Sequence, residues 1–122
     1  EMTAEYLKVR KQFGQLIGSF QALQHRAAIM FTELELTRSC VAAALDALDR
    51  NANNISELAS LAKARAGETL HLVSNETVQM HGGIGMTDAY DIGFYMKRAR
   101  VAAEWLGDYG YHAARVAAAR GF

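Results

Sequence analysis

Apolar side chains at Leu23, Ala27, Met30, Leu34, Val41, Leu45 and Leu48 recur every three or four positions, with Thr37 in the same register and Arg26, Glu33 and Asp46 on the opposite side. That period puts the stripe on one face of an α-helix, and its extent predicts a single amphipathic helix from about Ser19 to Arg50. No proline interrupts it or any other part of the chain, so no backbone donor is missing and no ring clashes with a preceding turn. The pattern stops at Asn51-Ala52-Asn53-Asn54, where Asn54 followed by Glu57 has the spacing of a side-chain cap for the next helix. A second stripe then runs through Leu58, Ala62, Ala66, Thr69, Val73, Thr77 and Met80. Leu61 and Leu72 widen it, which predicts a helix packed on more than one neighbour and ended by Gly82-Gly83.

Beyond the glycines, Asp88 is the expected cap of a helix from about Ala89 to Ala103, and Gly107-Asp108 punctuates before a last helix from about Tyr109 to Arg120. Short connections between long helices make antiparallel neighbours, so the expected fold is all-α, an up-down helical bundle spanning 1–122 as one domain. The first ten residues are helix-forming from Glu1 onward without a capping signal, as in a piece of a longer chain.

With 13 basic and 13 acidic residues the formal charge is zero, so bulk charge points to neither nucleic acid nor an anionic membrane, and any anion must be met locally. No apolar run approaches the ~18 residues of a membrane span. The lone Cys40 cannot form an internal disulfide, which fits a reducing cytoplasm, and its place on a helix face reads as a small buried hydrophobe.

Two segments carry possible chemistry. Arg10-Lys11-Gln12-Phe13-Gly14-Gln15 falls where the first helix gives way to a loop. A forked, permanently charged donor suits a phosphate and an adjacent aromatic can cover a base, although each residue alone is more often a solvated or core side chain. Gln79-Met80-His81-Gly82-Gly83-Ile84-Gly85 is the second: glycines let a backbone approach a ligand, and a glutamine one turn earlier offers both donor and acceptor. It is not a dinucleotide fingerprint, because no strand precedes it. Glu68-Thr69-Leu70-His71 has a di-iron spacing, but that site needs a second copy plus two more glutamates from other helices, and none of His25, His81 and His112 has a Glu three residues before it, so no metal site is expected.

Taken together, the two segments and the intervening helix pair resemble the C-terminal helical domain of the flavin-dependent acyl-CoA dehydrogenases, including the continuation Gln15-Leu16-Ile17-Gly18-Ser19-Phe20-Gln21-Ala22-Leu23-Gln24-His25. The resemblance implies FAD as cofactor, with Arg10 on the pyrophosphate and Gln12, Phe13, Ile17, Phe20 and Leu23 on the adenosine side. It also implies that Gln79, Gly82 and Gly83 reach, with Arg10, an FAD seated in a neighbouring subunit. An acyl-CoA substrate, a homologous subunit in a homo- or hetero-tetramer, and electron-transfer flavoprotein as acceptor follow from the same resemblance. The run His81-Gly82-Gly83-Ile84-Gly85-Met86-Thr87-Asp88 is most similar to small-subunit types from bacterial dicarboxylic-acid or sterol side-chain breakdown.

The position of the catalytic base departs from that pattern, and so do positions after it. Counting without gaps from Gly82-Gly83, the Glu-Gly pair that carries the family's catalytic base falls on Leu106-Gly107, and the following Thr-x-x-Ile-Gln reads Asp108-Tyr109-Gly110-Tyr111-His112. Leucine cannot accept a proton, so no catalytic residue is assigned within the chain. Three readings stay open: a subunit whose homologous partner holds the base, a self-sufficient dehydrogenase with its base upstream, and a flavin-free assembly domain.

Overall fold

The computed structural model describes residues 1–122 as a helical domain. Helix α1 (Met2–Val9) leads into a two-residue hairpin, β1 (Lys11–Gln12) and β2 (Gln15–Leu16), then a 3-10 turn at Ile17–Ser19. The long α2 (Gln21–Asp49) and α3 (Ile55–His81) follow, then a second 3-10 turn at Gly82–Met86, α4 (Ile92–Glu104) and α5 (Tyr109–Ala119). The all-α bundle expected from periodicity is the fold observed, with the hairpin as an addition.

Polar contacts fix how the helices run. Arg26 pairs with Glu76 at 2.7 Å, the Thr37 and Thr69 hydroxyls meet at 2.7 Å, and Arg65 pairs with Glu33, so α2 and α3 are antiparallel. Helix α1 lies parallel to the end of α3, with the Thr3 hydroxyl donating to Thr77 at 3.1 Å and the Tyr6 ring stacked on His81 at 4.2 Å. The Lys63 ammonium donates to the Ala102 and Ala103 carbonyls at 3.1 and 2.9 Å, neutralising the carbonyl end of α4. Arg115 ties α5 to Ser56 and Ser60 of α3 at 2.7 and 3.2 Å. Helix α3 therefore meets α1, α2, α4 and α5, which is why its apolar stripe is wide.

Four expectations are corrected. Asn54 makes no side-chain cap bond; at φ −102° and ψ 17° its backbone is not in the extended form a capping side chain uses, and only its carbonyl engages Leu58 N–H at 3.0 Å. Helix α4 starts at Ile92 rather than Ala89, because the Thr87 hydroxyl builds a turn first, donating to the Ile84 carbonyl at 2.7 Å and accepting from Ala89 N–H at 3.3 Å. Within α2 the covered positions run through Leu23, Ala27 and Met30 and then Glu33, Thr37, Cys40, Ala44 and Ala47. Past Met30 the large members of the expected stripe, Leu34, Val41, Leu45 and Leu48, are 39–58% exposed. Small residues let the α2 and α3 backbones approach, leaving the bulky side chains on the adjoining face. Cys40 is half-buried rather than fully buried.

The best-packed region is a cluster of Tyr6, Leu7, Ile17 and Met80, joined by Phe20, Leu23, Ala27, Met30 and Tyr90. Elsewhere the chain is thinly covered. It exposes 8379 Å², against about 6,500 Å² for a compact monomer of this mass. The surplus is apolar in large part: Ile29, Phe31 and Leu36 of α2 and Phe94, Tyr95 and Val101 of α4 are all exposed.

Candidate functional site

The two sequence segments meet at that cluster. Ile17, seven residues after Arg10, and Met80, next to Gln79, pack in the same core, so the folding of α1 onto α3 brings the segments to one end of the bundle. The link is backbone-tight. Gly18 lies so close to α1 that a Cβ there would sit 2.7 Å from the Leu7 carbonyl oxygen, and Ile17 N–H donates to the Arg10 carbonyl at 2.9 Å.

The first segment forms the hairpin. Lys11 faces Leu16 and Gln12 faces Gln15, with Phe13 at φ 53° and Gly14 at φ 79° as the two turn residues. Positive φ at both is the geometry of a two-residue hairpin turn, and for phenylalanine it costs roughly 1–2 kcal/mol. The turn holds the Phe13 ring 89% exposed, touched edge-on by Phe20 at 6.1 Å between centroids. Gln12 and Arg10 are exposed, and the Arg10 guanidinium has no ion-pair or hydrogen-bond partner in the chain. The segment thus carries an unpaired guanidinium at the end of α1 and an uncovered aromatic ring on a strained turn, both free to meet something outside the chain.

The second segment ends α3. Gly82 takes φ 64° and ψ −146°, a conformation essentially confined to glycine, and a Cβ there would meet nothing. Gly83 has no such backbone demand and a Cβ on it would also enter open space, whereas one on Gly85 would press to 3.0 Å from His81 Cβ and 3.1 Å from the Val78 carbonyl. The Gly82–Gly83 backbone is thus exposed and bare while Gly85 is a packing glycine. Beneath them His81 is locked: its Nδ1–H donates to the Thr77 carbonyl at 2.8 Å, its ring is flanked by Tyr6 and Tyr90, and its buried Nε2 has no partner. Gln79 is exposed, one turn back.

Of the expected contact residues, Arg10, Gln12, Phe13, Gln79, Gly82 and Gly83 are accessible. Ile17 is 7% exposed and packs in the core with Tyr6, Leu7 and Met80. Phe20 and Leu23 are partly buried against the same cluster and share that supporting role. The accessible set fits an FAD: a free guanidinium for pyrophosphate, an open ring for adenine, and a side-chain-free backbone where close approach is needed.

The α4–α5 turn carries Leu106, 71% exposed with φ 63°, followed by Gly107 at φ 104°. Of the flanking carboxylates, Asp108 is committed to α5, accepting from Tyr111 N–H at 2.8 Å. A separate cavity of about 580 Å³ opens between α3 and this turn, lined by Glu33, Arg65, Glu68, His71, Glu104 and Asp108 among others. It contains none of the expected cofactor residues. No group of His, Cys, Asp and Glu able to hold a metal occurs, and His71 is an exposed residue bonded to Asn75. No helix is long and apolar enough to cross a membrane.

Comparison with known proteins gives the family of this helical module. Residues 1–120 match the model described as acyl-CoA dehydrogenase, C-terminal domain, and the chain belongs to that family. It is 43% identical over 107 residues to acyl-CoA dehydrogenase IpdE2 of Mycolicibacterium smegmatis, covering 88% of this chain and 32% of that protein. Among solved structures it is similar to the Tcur3481-Tcur3483 steroid ACAD G363A variant, at 35% identity and TM-score 0.91 over 98% of this chain and 34% of that one. It is also similar to the ChsE4-ChsE5 complex from Mycobacterium tuberculosis, at 28% identity and TM-score 0.90 over 96% and 32%. The chain spans about a third of the length of these relatives.

Proposed function

We propose that residues 1–122 are the C-terminal domain of a flavin-dependent acyl-CoA dehydrogenase and that the domain clasps an FAD seated in a neighbouring subunit. The observation that carries this reading is the convergence of the two segments on one core while Arg10, Gln12, Phe13, Gln79, Gly82 and Gly83 stay uncommitted. Arg10 meets the pyrophosphate through its forked donors, Phe13 covers the adenine, and Gln79 with the bare Gly82–Gly83 backbone closes on the opposite side. The bound flavin would supply hydride acceptance in α,β-dehydrogenation of an acyl-CoA thioester. Electron-transfer flavoprotein is the acceptor we assign to the reduced enzyme.

The α-proton must go to a carboxylate, and Leu106 provides none. We therefore place the base in a homologous partner subunit and assign this chain a structural half of the site. The names of two similar structures each join two chains, Tcur3481-Tcur3483 and ChsE4-ChsE5, and the uncovered apolar faces of α2 and α4 supply area for such a partner. The test is anaerobic mixing of the full-length protein, alone and with homologous candidates, with acyl-CoA thioesters while flavin absorbance is followed. Bleaching only in a mixture supports the reading. Bleaching by the lone protein returns the base to its own upstream segment, and absence of flavin from every preparation leaves an assembly domain.

A further inference from the structure

The core that joins the two segments holds one polar group that packing alone does not call for. His81 is buried, with the Tyr6 ring stacked on it at 4.2 Å and 23° and the Tyr90 ring set against it at 5.2 Å and 61°. Its Nδ1–H donates to the Thr77 carbonyl at 2.8 Å, which leaves Nε2 as a buried acceptor that no group of the chain meets. Phenylalanine or leucine would fill the same cage without burying a bare acceptor. The Thr77 carbonyl would stay satisfied, since it lies four residues back in α3 and takes the helix's own bond from the His81 N–H. Stability therefore does not account for a histidine here.

What the imidazole adds is orientation. Neighbouring aromatic rings settle in either stacked or edge-on arrangements, and the bond to Thr77 fixes the His81 ring in the plane on which Tyr6 stacks. Tyr6 carries that choice to both segments. Its carbonyl accepts from Arg10 N–H at 2.9 Å, and its hydroxyl lies 3.4 Å from the His81 carbonyl oxygen, in the peptide that leads into Gly82. Arg10 and Gly82 are thus connected through one ring-on-ring contact, and a turn of the His81 ring would shift α1 against the end of α3. We propose that His81 is a positioning residue: the imidazole anchored on Thr77 keeps Arg10 and the bare Gly82–Gly83 backbone in the register at which one FAD meets both, at a cost in stability. The inference rests on the FAD-clasping role assigned above.

In the full-length assembly, His81→Phe keeps a ring in the cage and His81→Leu replaces it with a smaller apolar group. Both should melt at or above the wild-type temperature. Both should nevertheless bind FAD about fivefold or more weakly in fluorescence titrations, the low end of couplings between linked sites. Arg10→Ala should still weaken FAD in these backgrounds, whereas Gly83→Ala should add no further loss, because a ligand held by Arg10 no longer reaches that backbone. A histidine kept only for folding would give the opposite pattern, with lower melting and an undiminished Gly83→Ala effect. Wild-type FAD affinity in both apolar variants, melting below wild type in both, or a Gly83→Ala penalty that persists in full beside them overturns the positioning role. If Arg10→Ala and Gly83→Ala leave FAD affinity unchanged in the otherwise unmutated protein, the clasp itself is refuted, and this role falls with the function proposed above.

Discussion

Substitution of alanine at Gly82, Gly83 and Gly85 separates glycines kept for folding from one kept for a ligand. A methyl at Gly85 must fit 3.0 Å from His81 Cβ and 3.1 Å from the Val78 carbonyl, both fixed by the core. Overpacking of that kind costs about 1–3 kcal/mol. Gly82→Ala meets no atom, but φ 64° with ψ −146° is strained for any side chain, at about 1–3 kcal/mol. At Gly83 neither cost applies, so Gly83→Ala should fold within ~0.5 kcal/mol of wild type. If the bare backbone there receives FAD, the same methyl intrudes on the ligand and should weaken its retention about tenfold or more, equivalent to ~1.4 kcal/mol. Thermal unfolding of the full-length assembly gives the first quantity, and flavin fluorescence during titration of the flavin-depleted protein gives the second. Gly83→Ala with unaltered stability and unaltered FAD affinity would refute the assignment of this segment to the cofactor.

Arg10→Ala should weaken FAD retention by about 1.5–3 kcal/mol, with Arg10→Lys recovering only part because the fork is lost, as read by equilibrium dialysis. Gly18→Ala, which forces a Cβ to 2.7 Å from the Leu7 carbonyl, should destabilise by about 1–3 kcal/mol and lower the melting temperature, while leaving the intrinsic affinity of folded protein near wild type. The exposed Glu5 carboxyl is held below its usual value, first by the hydrogen bond from Lys8 and then by that ammonium's charge. Its small stabilisation is present above the ordinary carboxylate range and fades as pH falls through the lowered value; Lys8→Ala should move the Glu5 titration upward by NMR without a measurable change in melting.

The long helices were legible because Leu23, Ala27 and Met30, and later Ala62, Thr69 and Met80, repeat at helical spacing without a proline. Periodicity did not show which flank of α2 packs inside the chain, since Leu34 and Val41 are as apolar as anything in the core; the line that does pack uses small or polar residues such as Thr37, Cys40 and Ala47. The hairpin escaped because its turn is Phe13-Gly14, in which phenylalanine takes a positive φ that sequence preference assigns to asparagine or aspartate. At the site, Arg10 and Gly82–Gly83 were visible as motifs. The commitment of Ile17 to the core was not, because it depends on contacts between segments rather than on residue type.

The central claim is that this chain contributes FAD contacts to an assembly in which a homologous partner completes the chemistry. It is tested most directly by the flavin-to-protomer ratio of the purified full-length protein, measured alone and as a complex with its homologous partner. The account predicts little flavin in the lone protein and about one FAD per pair of unlike subunits in the complex, half the occupancy of a homo-oligomer with a complete site in every chain. One FAD per protomer in the lone protein, with acyl-CoA-dependent turnover, would contradict it.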